Sequence, residues 1–292
     1  MSVLVGTVVT IGMLWVVPTG LALLDGPHPP GWDALRRAWP LFAVPGALSL
    51  WLPRSGPTTA LAVVYALATL ALALQAPARL LLTRSLRPGE VAVLTALIAP
   101  SVAGLALVAE RASYPLFGFD LDILALTVPH FHFAGFAAAL VAGLLCRVCD
   151  GPAARFAALS VPAGTLLVLL GYFVDDWAEL AGAVVLTAGM TTIAALTLRE
   201  RRATAADRLT RALLAVSALV LLVTMLLALS WALGEATGLP HLDLTWTAAT
   251  HGLGNALGFT VCALLARRRL TTVRGTTPPP SPTTRPRTEL PA

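Results

Sequence analysis

Between Ala212 and Leu233 the chain runs without one charged residue. That is long enough to cross a bilayer as a helix, because the hydrocarbon core is ~30 Å thick and each helical residue rises ~1.5 Å. Comparable runs recur along the whole sequence. A soluble fold of 292 residues has too little interior to hide them all: 57% of the residues are hydrophobic and 12% charged, with a mean hydropathy of +0.80, against about 25% charged in soluble domains. Lipid is therefore the expected solvent for much of the surface.

Read by length and apolarity, the spans fall near Val3 to Leu24, Ala38 to Leu52, Thr58 to Ala76, Val91 to Ala109, Ile123 to Cys146, Phe156 to Val174, Trp177 to Leu198, Ala212 to Leu233 and Thr245 to Ala266. The expected fold is all-α, a polytopic transmembrane bundle of about nine spans over residues 1–269. The second run is short and holds Pro40 and Pro45. The first lacks a basic leader and a small-residue cleavage site, so it reads as a retained helix rather than a signal peptide. Residues 270–292 turn rich in Pro, Thr and Arg, a composition that cannot bury a core, and are expected to form a disordered cytoplasmic tail.

Charge placement tests the span count. All 20 basic residues are Arg. Those in the loops that follow odd-numbered spans, from Arg36 and Arg37 to Arg208 and Arg211, share one side with the tail. Only Arg54 and Arg111 fall on the other. A miscounted helix would scramble this segregation, and the positive-inside rule assigns the Arg-rich side to the cytoplasm. The N-terminus is then outside and the C-terminus inside. The Arg-only usage, with abundant Ala, Leu and Pro, suggests a GC-rich bacterial genome and hence a multi-pass protein of the bacterial cell (inner) membrane. Basic charge here follows topology, so no nucleic-acid partner is expected. The partners implied are the lipid bilayer and a small-molecule or ion ligand.

The opposite side collects acids at the span ends: Glu110, Asp120, Asp122, Asp175, Asp176, Glu179, Glu235 and Asp243. Solvated loops explain them most simply. Asp122, Asp175, Asp176, Glu179 and Asp243 also form a candidate outer mouth.

Three of five His, His130, His132 and His251, fall inside spans, where an ionisable side chain is costly and marks a candidate site. All three are expected roughly 10 to 15 Å deep in the outer leaflet. His132 is followed by Gly135, Ala139 and Gly143, and His251 by Gly254, Gly258 and Cys262, at the same intervals. Small residues four apart let helices approach closely, so spans five and nine are expected to pack along these seams and bring His132 and His251 together. Asn255, one turn beyond His251, faces the same space. On a straight helix His130 and His132 point about 200° apart, and His132 is the expected inward member. A second pattern is that Asp122 precedes His130 by the interval at which Asp243 precedes His251, each Asp preceded by Leu. It hints that spans four and five repeat as spans eight and nine.

Imidazoles such as His132 and His251 suit a transition metal or haem iron, which the outer-mouth acids would complete or orient. The same groups suit a proton relay, and no tight ligand motif decides between them. Cys146, Cys149 and Cys262 with His28 would make a three-Cys, one-His zinc set. Small buried Cys in apolar helices is the simpler reading.

The run His130-Phe131-His132-Phe133-Ala134-Gly135-Phe136, with His251-Gly252-Leu253-Gly254-Asn255-Ala256-Leu257-Gly258-Phe259 downstream, resembles the YndJ-like family of bacterial membrane proteins over most of the membrane part. The resemblance implies a multi-spanning protein, sometimes labelled a transporter, and brings no catalytic residues with it. Three readings follow: a transporter-like protein with an outer-leaflet histidine site for a small ligand, proton or metal; a membrane-embedded metal- or haem-dependent enzyme using the same histidines; and a structural membrane protein.

Overall fold

A computed structural model describes residues 2–276. It is all-helical, with no strand among the described residues. Among the described residues nine long helices succeed one another: α1 Val3–Ala22, α2 Trp32–Ser49, α3 Gly56–Thr83, α4 Pro88–Arg111, α5 Leu121–Val148, α6 Pro152–Gly171, α7 Asp176–Ala203, α8 Arg208–Thr237 and α9 Leu244–Thr272. All but α2 are long and apolar enough to cross a membrane. The exception starts earlier than its expected bound of Ala38 and draws Asp33, Arg36 and Arg37 into its first turns. Large apolar side chains stand exposed on the outside, Leu67, Leu74, Leu105 and Leu226 among them. Such a surface suits lipid contact and is consistent with a multi-pass membrane protein. Most of the expected tail, from residue 277 on, lies outside the described residues.

Helix starts follow local chemistry. Asp175, Asp207 and Asp243 each accept a hydrogen bond from the backbone N–H three residues ahead, at 2.8 Å. Each satisfies an orphan donor and complements the helix dipole. Two of the expected outer-mouth acids, Asp175 and Asp243, are therefore N-caps.

Glycines set the closest approaches. A Cβ added to Gly182 of α7 would lie 2.4 Å from the Val168 nitrogen of α6, and one at Gly164 2.5 Å from the Leu186 nitrogen. Gly171 and Gly189 make similar approaches on the same seam. The backbones of α6 and α7 thus touch directly, as small residues allow in lipid. The seams read from the sequence have other neighbours than expected. Gly135 faces Ala99 and Gly143 faces Gly89 and Val93, all on α4, whereas Gly254 and Gly258 face Thr224 and Val220 on α8. Rather than joining α5 to α9, each seam seats its helix on the one before it. The pairs α4–α5 and α8–α9 are built alike in this respect.

The two arginines on the acid-rich side share one carboxylate. Glu110 is fully buried and receives Arg54 Nη2 at 2.7 Å and Arg111 Nη2 at 2.7 Å. Arg111 also donates to the Ser49 and Leu52 carbonyls at the end of α2. At the opposite end Arg79 pairs with Glu90 and donates to the Pro27 carbonyl, and Arg267 pairs with Glu200.

Three outcomes check this packing by chemical unfolding in micelles. Gly182→Ala is expected to cost about 2 kcal/mol through overpacking. Gly56→Ala, which meets nothing within 4 Å, should change stability by less than about 0.5 kcal/mol. Glu110→Ala, which strands two guanidinium groups, should cost about 3 to 5 kcal/mol.

Candidate functional site

The helices lose their regular winding where the candidate residues lie. Gly12–Val16 in α1, Phe131–Ala138 in α5, and Ala248–Gly252 and Gly254–Val261 in α9 wind as π-helix. Such wide turns concentrate at functional positions. In α5 the change follows Pro129, which has no N–H to continue the ladder.

His132 is fully buried and both of its ring nitrogens are occupied. Nδ1 lies 2.7 Å from the Val128 carbonyl, which can only accept, so Nδ1 carries the proton. Nε2 then accepts the Tyr65 hydroxyl at 2.5 Å. Tyr65 sits against Gly46 of α2, stacks on His132 and meets Trp39 edge-on. Trp39 Nε1 donates to the Met13 carbonyl in the wide turn of α1. The space beside the imidazole comes from Gly12, where a Cβ would fall 3.1 Å from the ring. His132 thus ties α5 to α1 and α3, and it does not meet His251 as expected. It lines no part of the cavity described next, which leaves the metal pair His132 and His251 unassembled.

That cavity, of about 240 Å³, lies among α1, α5, α6, α7, α8 and α9 toward their acid-rich ends. Its imidazoles are His130 and His251. His130 precedes His132 by two residues and so points to the far side of α5. No hydrogen-bond partner for it is found among the described residues. His130 and His251, which hold equivalent positions in the Asp-to-His pattern, share this space, whereas the pair expected to meet was His132 and His251.

His251 is held by a closed set of bonds. Its Nδ1 donates to the Thr224 carbonyl of α8 at 2.7 Å, leaving Nε2 to accept from Asn255 Nδ2 at 3.1 Å. The Asn255 Oδ1 accepts the Thr224 hydroxyl at 2.7 Å. Thr224 and Tyr65 carry no motif that would have marked them in the sequence. Each matters through a partner far along the chain.

Above the cavity is a second hollow, lined by Asp175, Asp176, Glu179, Glu235, His241 and Asp243. Ile123, Tyr172, Glu179, Trp231 and Leu244 line both spaces, so the two adjoin. His241 lies 3.1 Å from Glu235. Tyr172, at the end of α6, is 42% exposed and lines both hollows. Asp122 lines neither space.

The donor set fits a metal or haem poorly. Among the described residues no three His, Cys, Asp or Glu side chains gather as a metal site, and the Cys146 thiol donates to the Ala154 carbonyl. Haem propionates call for cationic partners, whereas neither hollow is lined by an arginine.

The division of labour between the imidazoles is testable by unfolding. Tyr65→Phe leaves His132 Nε2 without a donor and should cost about 1 to 3 kcal/mol. His130→Phe breaks no hydrogen bond and should cost less than about 1 kcal/mol.

Residues 7–259 match a family model described as YndJ-like protein. No curated protein and no solved structure matches the chain.

Proposed function

The chain belongs to the YndJ-like protein family, and from that premise we propose that it is a transporter-like membrane protein that takes a small ligand or proton into the cavity shared by His130, His251 and Asn255. One observation carries this reading: an imidazole with no hydrogen-bond partner among the described residues faces a hollow that adjoins an acid-lined mouth. Structural histidines at such depth are bonded, as His132 is. A side chain left open beside a cavity suits a visiting ligand.

The orientation belongs to the same proposal. The arginine segregation supports an orientation with the N-terminus outside, the C-terminus in the cytoplasm and the cavity in the outer leaflet of a bacterial inner membrane. His130 is the ligand-facing group. The set formed by His251, Asn255 and Thr224 fixes the opposite wall by holding α9 on α8. Asn255 Nδ2 keeps a second hydrogen free to donate.

Cysteine labelling tests this. With Cys146, Cys149 and Cys262 replaced by Ala, single cysteines at Ala134 and Ala248, both in the cavity wall, should react with a membrane-impermeant maleimide added outside intact cells. Leu221→Cys, at a fully buried position, should not. A transporter should also expose Ala248→Cys to the same reagent in inside-out vesicles. Reaction with lipid-soluble maleimide alone would remove the aqueous site, and strictly one-sided reaction would remove transport.

A further inference from the structure

Glu179 sets this cavity apart from an ordinary apolar hollow. It lies where mouth and cavity meet, in the first turn of α7, and is only 8% exposed. Three other buried or nearly buried carboxylates have an arginine partner: Glu110 has two, Glu90 has Arg79 and Glu200 has Arg267. No hydrogen bond or ion pair to the Glu179 carboxylate is found among the described residues. Its charged neighbours are Asp176 and Glu235, both acids. The backbone beneath it is fixed, since a Cβ on Gly171 would fall 2.4 Å from the Glu179 Cα.

An unpaired carboxylate in an apolar wall is costly, and an incoming positive charge relieves that cost. The acid-lined mouth concentrates cations and repels anions. The wall of the cavity is largely apolar, with Leu186, Met190 and Met225, and the rings of Tyr172 and Trp231 line both hollows as Glu179 does. Aromatic rings favour organic ammonium groups. A bare inorganic cation needs several oxygen ligands at once, which one carboxylate in such a wall does not supply.

We propose that the cavity takes a small amphiphilic organic cation, a protonated amine or quaternary ammonium with an apolar body, and that Glu179 is its counter-charge. This rests on the transporter-like reading above and names the substrate class of that same site. The ammonium group sits with Glu179 where mouth and cavity meet, and the apolar body reaches past the two methionines. The neutral His130 imidazole accepts an N–H from a primary or secondary amine.

Binding to the full chain in lipid nanodiscs tests the charge rule with three probes of similar size. They are benzyltrimethylammonium, its uncharged isostere neopentylbenzene, and benzenesulfonate. The cation should bind saturably, the isostere at least about tenfold more weakly, and the anion not at all. Glu179→Gln should erase the advantage of the cation while leaving the isostere unchanged. If that variant does not fold, the probe comparison on the unaltered protein decides alone. Equal binding of cation and isostere would show that Glu179 is satisfied by a proton and would overturn the proposal, as would failure of the cation to bind. In either case labelling of Ala248→Cys from outside and from inside would leave the transporter-like reading standing and remove only its substrate class.

Discussion

Polar groups inside an apolar bundle are tolerable only when each finds a partner, and that requirement organises this molecule from end to end. Glu110 gathers both stray arginines of its side. Arg79 and Arg267 close the other end against Glu90 and Glu200. His132 divides its two nitrogens between Tyr65 and Val128, and His251 between Thr224 and Asn255. Some of these bonds tie consecutive helices, as Arg79 to Glu90 and His251 to Thr224 do, and others reach across the bundle, as Tyr65 to His132 and Arg267 to Glu200 do, so they set its arrangement as well as its stability. The rule is not absolute, since buried atoms of Trp32, Gln75 and Thr260 among others also lack a partner, but two titratable groups without one, His130 and Glu179, open into the same cavity.

The cavity is where it is because close packing is used up elsewhere. Direct backbone contact at Gly164, Gly171, Gly182 and Gly189 draws α6 and α7 together. Gly135 and Gly143 seat α5 on α4, while Gly254 and Gly258 seat α9 on α8. Each tight pair leaves its bulkier faces toward the others, and six helices converge around a space that none of them fills. At the acid-rich end the capping Asp175 and Asp243 do double duty. The geometry that starts α7 and α9 also rims the mouth.

Much of the helical arrangement was legible because lipid imposes a length on any helix that crosses it. The apolar runs and the arginine count both follow from that one constraint. The limits of α2 were not legible, since its first turns carry Asp33, Arg36 and Arg37 and read as loop. The candidate site was half legible. Depth and residue type singled out three histidines, while the Asp-to-His interval spoke only for a repeat of spans four and five as eight and nine. The competing small-residue pattern favoured His132, whose direction depends on room left by Gly12 and a hydroxyl offered by Tyr65. Those are tertiary facts with no local signature. Glu179 stood out only as one acid among several, because lack of a partner cannot be read from a sequence.

The wide turns have a consequence for how much chemistry fits into a thin slab. A helix with more residues per turn advances less along its axis for each residue added, so α5 and α9 crowd additional side chains into the depth they cross. His130 ends the regular winding of α5 and His132 lies in its wide turn, so one short stretch turns an imidazole toward the cavity and another toward the scaffold, only ~3 Å apart in depth even at ordinary helical rise. The bond that braces the wall therefore lies beside the pocket rather than beneath it.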